Sequence, residues 1–204
     1  MRNGIFKLTE WISRLAILNL LWIGFSLVGL IIFGLFPATV AMFSVIRQWL
    51  RGKTDLPIFQ LYWRAFRTDF FKANGYGVLI AIIGLMIYAD LVYLAFHDMS
   101  HLMLVQLPIF LFILLTFLYL FPTYVHYKLG FLTVIKQAFL IMVIHPLQTI
   151  TMLIGIAACL VLMYYVPALA LFFSGSFTAF VIMSIAYSAF SQIEVKQKKG
   201  KGLK

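Results

Sequence analysis

Acidic residues are scarce in this chain. Six Asp and Glu stand against 16 Lys and Arg in 204 residues, and charged residues make up only 11%. A soluble domain carries roughly 25% charge, so this composition cannot supply an ordinary water-facing surface. There is one cysteine, Cys159. It excludes an internal disulfide and, in its apolar surroundings, reads as small core filling. Alternating strand patterns are absent, which argues against a β-barrel. A glycine-rich phosphate loop and a nucleophile–base arrangement are missing too, and the few acids offer no convergent carboxylate pair. Neither an enzyme nor a cofactor is expected.

What is present is apolar. Hydrophobic residues make up 64% of the chain, and the mean hydropathy is +1.03. The fold class that follows is all-α: a polytopic integral membrane bundle, because lipid satisfies no backbone amide and only helices or closed barrels can cross it. The net charge of +10 would point to nucleic acid in a soluble protein. Here it reads as basic loops held on the cytoplasmic side, with anionic lipid head groups as the partner and no nucleic acid. A cleaved signal peptide is not expected, since the first apolar run far exceeds an h-region of about 7–15 residues.

Lys and Arg cluster. The N-terminal segment holds three, residues 47–75 hold six, 126–146 hold two and the tail holds five; the short connections at 97–101 and 166–167 hold none. The positive-inside rule then places 47–75, 126–146 and both termini in the cytoplasm of a multi-pass cell-membrane protein. One membrane domain over 1–190 is expected, with five or six membrane segments. Its parts are an interfacial helix at 1–14, a proline-broken hairpin at 15–50, a cytoplasmic amphipathic helix at 55–73, a hairpin at 76–124, an inner-face helix at 128–145 and a hairpin at 147–190. A basic, irregular cytoplasmic tail at 191–204 follows.

The run from Leu15 to Ile46 carries no charge. As helix it would reach roughly 48 Å at ~1.5 Å per residue, too long for one span of ~30 Å. A hairpin turning at "GLFPAT", on Gly34 and Pro37, satisfies two cytoplasmic flanks. The alternative is a single span with the N-terminus outside. Arg47 and Arg51 are expected to snorkel to the inner surface.

In 55–73, Phe59, Tyr62, Trp63, Phe66 and Phe70 share one helical face while Gln60, Arg64, Arg67 and Thr68 share the other. Asp55 is the expected cap and Asn74-Gly75 the expected end. Trp63, Phe66, Arg64 and Arg67 are the expected docking residues for the membrane surface or a partner.

Asp90 is the one acid well inside an expected span. An ionisable group there is costly and should face protein or water. Mirrored about the 97–101 turn, Gln106 lies at nearly its depth. Asp90, Gln106 and Tyr93 therefore form either a polar ligand site or a hydrogen bond that fastens the hairpin. Asn19 is expected to bond across helices, with substrate contact as its other reading. Close packing or a local helix distortion is expected at "FFSGSF", 172–177. "HDMSH" sets His97 and His101 four residues apart, but no third ligand is evident and no metal is expected.

The segments "NLLWIGFSLVGLIIFGLFPATVAMFSVIRQWLRG" and "FRTDFFKAN" resemble the YesL-like family of small bacterial membrane proteins. The resemblance is carried by Asn19, Trp22, Gly34, Pro37, Ala38, Thr39, Ala41, Arg47, Gly52, Phe66, Phe71 and Asn74. It implies an accessory or regulatory role beside a carbohydrate uptake system, with a membrane component of that system as partner, and it supplies no catalytic residues. The competing expectation is a small transporter or channel with a polar site around Asp90.

Overall fold

The computed structural model describes residues 2–97, 100–127 and 129–201. Among these described residues seven helices follow one another: α1 (Arg2–Val28), α2 (Leu35–Leu50), α3 (Ile58–Phe96), α4 (Ser100–Tyr127), α5 (Phe131–Ile144), α6 (Pro146–Tyr165) and α7 (Pro167–Lys201). Five of them, α1, α3, α4, α6 and α7, are long and apolar enough to cross a membrane; α2 and α5 are shorter apolar helices.

The first two helices form an antiparallel hairpin. Trp11 meets Trp49 near one end, with ring centroids 5.7 Å apart. Near the other end Trp22 Nε1 donates to Thr39 Oγ1 at 3.0 Å, and Thr39 Oγ1 donates on to the Leu35 carbonyl at 2.7 Å. The expected reversal is therefore present, but its place differs. The turn runs over residues 29–34 rather than "GLFPAT". A Cβ on Gly29 would lie 2.2 Å from the Gly34 Cα, so the two glycines close the turn against each other, with Leu30 and Ile31 left-handed between them. Pro37 sits inside the first turn of α2, where its missing N–H would have had no helical partner. Gly34 is a turn residue; Pro37 is not.

The expected break between an N-terminal interfacial helix at 1–14 and a following span is absent, because α1 is continuous. Asn74-Gly75 likewise does not end a helix. Asn74 Nδ2 donates to the carbonyls of Phe70 and Phe33, both at 3.0 Å, and so fastens α3 to the α1–α2 turn. Gly75 and Gly77 admit the rings of Phe131 and Phe36. At the other end, α3 starts at Ile58 without a side-chain cap, so Asp55 does not play the expected role.

α3 is 39 residues long, about 58 Å at ~1.5 Å per residue, nearly twice the hydrocarbon thickness of ~30 Å. Its halves differ. Tyr62, Ala65, Phe66, Ala73, Tyr76 and Gly77 are buried, whereas beyond Gly77 its one buried residue is Leu94. The first half packs on the bundle; the second presents Val78, Ile82, Leu85 and Met86 outward, as lipid-facing residues would.

α2 lies at the centre, packed on α1, α3, α4 and α7. Ala38, Val40, Ala41, Val45 and Ile46 have no exposed surface. In place of a separate helix at 55–73 and a hairpin at 76–124, the chain has one continuous α3 followed by α4; 147–190 falls on α6 followed by α7. Tyr76 of α3 meets Tyr124 of α4 at 5.4 Å. In α6 and α7, Gln148 bonds Gln192, and Gly155 lies against Val181. His145-Pro146 separates α5 from α6. Cys159 is buried and free. The tail, expected to be irregular, continues α7 as helix to Lys201.

Candidate functional site

Arg47 stands in the last turn of the most buried helix. It was expected to snorkel outward, but only 9% of its surface is exposed. The reason is α4, whose C-terminal turn closes over it. One guanidinium nitrogen donates to the His126 carbonyl at 2.9 Å, while Nε is buried without a partner. His126 itself faces α7, its Nε2 lying 3.0 Å from Glu194 Oε1. Among the described residues no carboxylate lies within ion-pair distance of Arg47.

A cavity of about 450 Å³ opens beside it, between α2, the first half of α3 and the end of α4. Ser44, Arg47 and Gln48 line it from α2, Arg64, Thr68, Asp69 and Lys72 from α3, and Tyr124 from α4. Arg47 and Tyr124 are its buried polar members; Arg64, Thr68 and Lys72 are exposed at its edge. The Asp69 carboxylate is already engaged, accepting the Tyr124 hydroxyl at 2.6 Å. Three cations therefore share the cavity with one hydrogen-bonded anion. Leu61, Ala65, Val125 and Leu129 add apolar wall.

The geometry follows from helical spacing. Arg64, Thr68 and Lys72 recur every four residues and stack along one stripe of α3. Asp69 lies one position round from Thr68, close enough to reach α4. This stripe was legible as the polar face of the amphipathic segment. What it faces was not, because the end of α4 comes from a distant part of the chain and local periodicity does not record how α2 packs.

The other expected site residues are scattered. Asp90 is half-buried, and no hydrogen bond joins it to Gln106, whose Oε1 is buried without a partner. Tyr93 is exposed and stacks on His97 at 4.1 Å, with His97 Nδ1 2.9 Å from the Tyr93 carbonyl. Asp98 and the side chain of His101 lie outside the described residues. The expected fastening of the hairpin through Asp90 and Gln106 is thus not formed, and neither residue lines the α2–α3–α4 cavity.

Asn19 is elsewhere, fully buried between α1 and α7. Its Nδ2 donates to the Leu171 carbonyl at 2.9 Å, and its Oδ1 accepts from the N–H groups of Gly175 and Ser176 at 2.9 and 3.1 Å. The cross-helix role is realised, and it lands on the "FFSGSF" segment.

The docking face needs a correction. Phe66 is buried, and with Tyr62 it packs on Phe25 of α1, ring centroids 4.9 and 5.2 Å away. The aromatic stripe is thus divided: Tyr62 and Phe66 are inside the protein, Phe70 is half-buried, and Phe59 and Trp63 stay exposed. Trp63, Arg64, Arg67 and Thr68 remain outside and line a shallow groove, with the Arg67 guanidinium 5.6 Å over the Trp63 ring.

The model of a family described as a protein of unknown function, DUF624, matches residues 15–91. Three Bacillus subtilis (strain 168) proteins are similar over nearly the whole chain. The uncharacterized protein YesL is 35% identical over 98% of this chain and 95% of its own length. The uncharacterized protein YteU is 35% identical over 93% and 86%, and the uncharacterized protein YesV 35% over 95% of both. The chain belongs to the YesL-like DUF624 family. No solved structure matches it. The DUF624 match takes in α2, the loop after it and most of α3. It therefore contains Arg47, Arg64, Asp69 and Lys72, while the α4 wall of the cavity lies beyond it. In this YesL-like protein the family-carrying residues Asn19, Trp22, Gly34, Thr39, Arg47 and Asn74 all make the inter-element contacts or the close turn described above.

Proposed function

We propose that this protein is a non-catalytic accessory or regulatory membrane protein serving a carbohydrate uptake system. The observation that carries the reading is the strip of α3 that the bundle leaves uncovered. Trp63 is 41% exposed although its neighbours Tyr62 and Phe66 are buried, and Arg64 and Arg67 flank it. Tryptophan and arginine are the residues that carry most energy when an interface forms. In this reading the strip lies on the cytoplasmic side of the cell membrane among anionic head groups, and a membrane component of the uptake system docks on it. The carbohydrate assignment rests on the YesL-like resemblance.

The alternative, a small transporter or channel centred on Asp90, draws no support from the described residues, because its polar members do not converge. The test is recovery of the full-length protein from native membranes with identification of what accompanies it. An uptake-system membrane protein should co-purify with the wild type and be lost with Arg67→Glu at unchanged protein level. Identical recovery from both, or no uptake component in either, overturns the proposal.

A further inference from the structure

We propose that the cavity between α2, α3 and α4 binds an organic phosphate, with Arg47 as its buried anchor and Arg64 and Lys72 as the cations that close over it. This goes beyond the docking role above and does not depend on it.

The argument begins with the cost of Arg47. A guanidinium presents five N–H donors in a fixed fork. Here one nitrogen meets a backbone carbonyl, Nε meets nothing and no carboxylate pairs with the charge. An uncompensated buried charge is strongly unfavourable. A carboxylate in contact would relieve it, but Glu194 acts on Arg47 only from beyond ion-pair distance and is held by His126, and the lining adds Arg64 and Lys72 instead. The nearby acid, Asp69, is occupied by Tyr124. The unfilled requirement at this place is an anion with several acceptor oxygens.

The dimensions and lining narrow the class. The cavity, about 450 Å³, falls within the ~300–1,000 Å³ of small-molecule sites. It therefore has room for more than a bare anion. Ser44, Gln48 and Thr68 supply neutral hydrogen-bonding groups, and Leu61, Ala65, Val125 and Leu129 supply an apolar wall. A phosphate ester with a polar or short aliphatic substituent matches both. Phosphate matches planar arginine forks bidentately, and lysine acts on it as a point charge. The phosphate comes from a lipid head group or from a soluble ester; both offer the same chemistry to these residues.

The experiment uses the full-length protein, delipidated in a maltoside detergent that contains no phosphate. Binding is followed by calorimetric titration and by thermal stability. One arm adds phosphatidylglycerol, with diacylglycerol as the uncharged control. The other adds inorganic phosphate and glycerol 3-phosphate. Wild-type protein should bind at least one phosphate probe and not diacylglycerol. Binding confined to phosphatidylglycerol identifies the lipid as source; binding of glycerol 3-phosphate as well identifies a soluble ester. Lys72→Gln and Arg64→Gln, at exposed positions that do not hold the fold, should each weaken binding about tenfold or more, while Lys136→Gln, exposed on α5 and outside the cavity, leaves it unchanged. Arg47→Lys keeps the charge, removes the fork and should abolish binding. Failure of every phosphate probe to bind overturns the proposal. So does equal weakening by Lys72→Gln and Lys136→Gln, which would mark a diffuse surface effect.

Discussion

The side-chain carbonyl of Asn19 accepts the backbone N–H of Gly175 at 2.9 Å. The same amide donates to Leu171, one helical turn earlier on α7. One side chain of α1 thus bonds both the carbonyl and the N–H that ordinarily pair with each other in a helix. The contact requires a glycine: a Cβ on residue 175 would lie 2.9 Å from Trp22 Cε3 and 3.1 Å from Asn19 Oδ1. Gly175→Val should therefore cost about 1–3 kcal/mol by overpacking. Asn19→Leu should cost a similar amount by removing the buried cross-helix hydrogen bonds. Thermal unfolding in detergent checks both. The double variant should lose less than the sum of the two, since each removes the same contact.

Gly77 supports a second close approach. A Cβ there would lie 2.1 Å from Phe36 Cδ2, whereas a Cβ on Gly84 of the same helix meets nothing within 4 Å. Gly77→Ala should lower thermal stability by about 1–3 kcal/mol. Gly84→Ala should be neutral or stabilising by up to ~1 kcal/mol, because it improves helix propensity without a clash. A Gly77→Ala protein as stable as the wild type would mean that α3 does not pack on Phe36.

Orientation is open to a labelling test. The hairpin sets Trp11 beside Trp49, so the start of α1 and the loop after α2 share one end of the bundle. With Cys159→Ser as background, Lys53→Cys should resist an impermeant thiol reagent in intact cells, and His97→Cys should react. The reverse pattern would invert the protein and overturn the cytoplasmic placement of the basic end.

Asp90 separates the two functional classes. It is half-buried, with no hydrogen-bond partner among the described residues. Asp90→Asn should change thermal stability by no more than about 0.5 kcal/mol and leave uptake-system recovery intact. Loss of solute uptake with this variant, at a wild-type protein level, would favour the transport reading instead.

The signals that succeeded in the sequence were those of solvent and of local chain reversal. An uncharged run too long for one span was expected to fold back, in preference to a single span, and it does so between Gly29 and Gly34. The expected boundary between 128–145 and 147–190 falls at His145-Pro146, where the residue before proline leaves helical geometry, although Pro108 and Pro122 stay inside α4. By contrast, Asn74-Gly75 failed as a stop. A glycine inside a helix costs only ~1 kcal/mol, and the bonds of Asn74 to Phe33 and Phe70 together with the packing at Gly75 and Gly77 outweigh it.

The sequence by itself determined that this protein is helical, belongs in a membrane and is basic in particular segments. Those properties depend on composition and on the order of residues over a few turns. It also determined that α3 has an aromatic stripe and a basic one. Only the tertiary structure decided that Tyr62 and Phe66 of the aromatic stripe are buried on Phe25 rather than in lipid, and that Arg47 lies under α4 rather than at the surface. Helical periodicity records that a face is apolar, not whether lipid or protein covers it, because in a membrane both are equally apolar. The cavity is a product of the same limit: Arg47, Lys72 and Tyr124 lie far apart along the chain, and only packing of their three helices makes them one site.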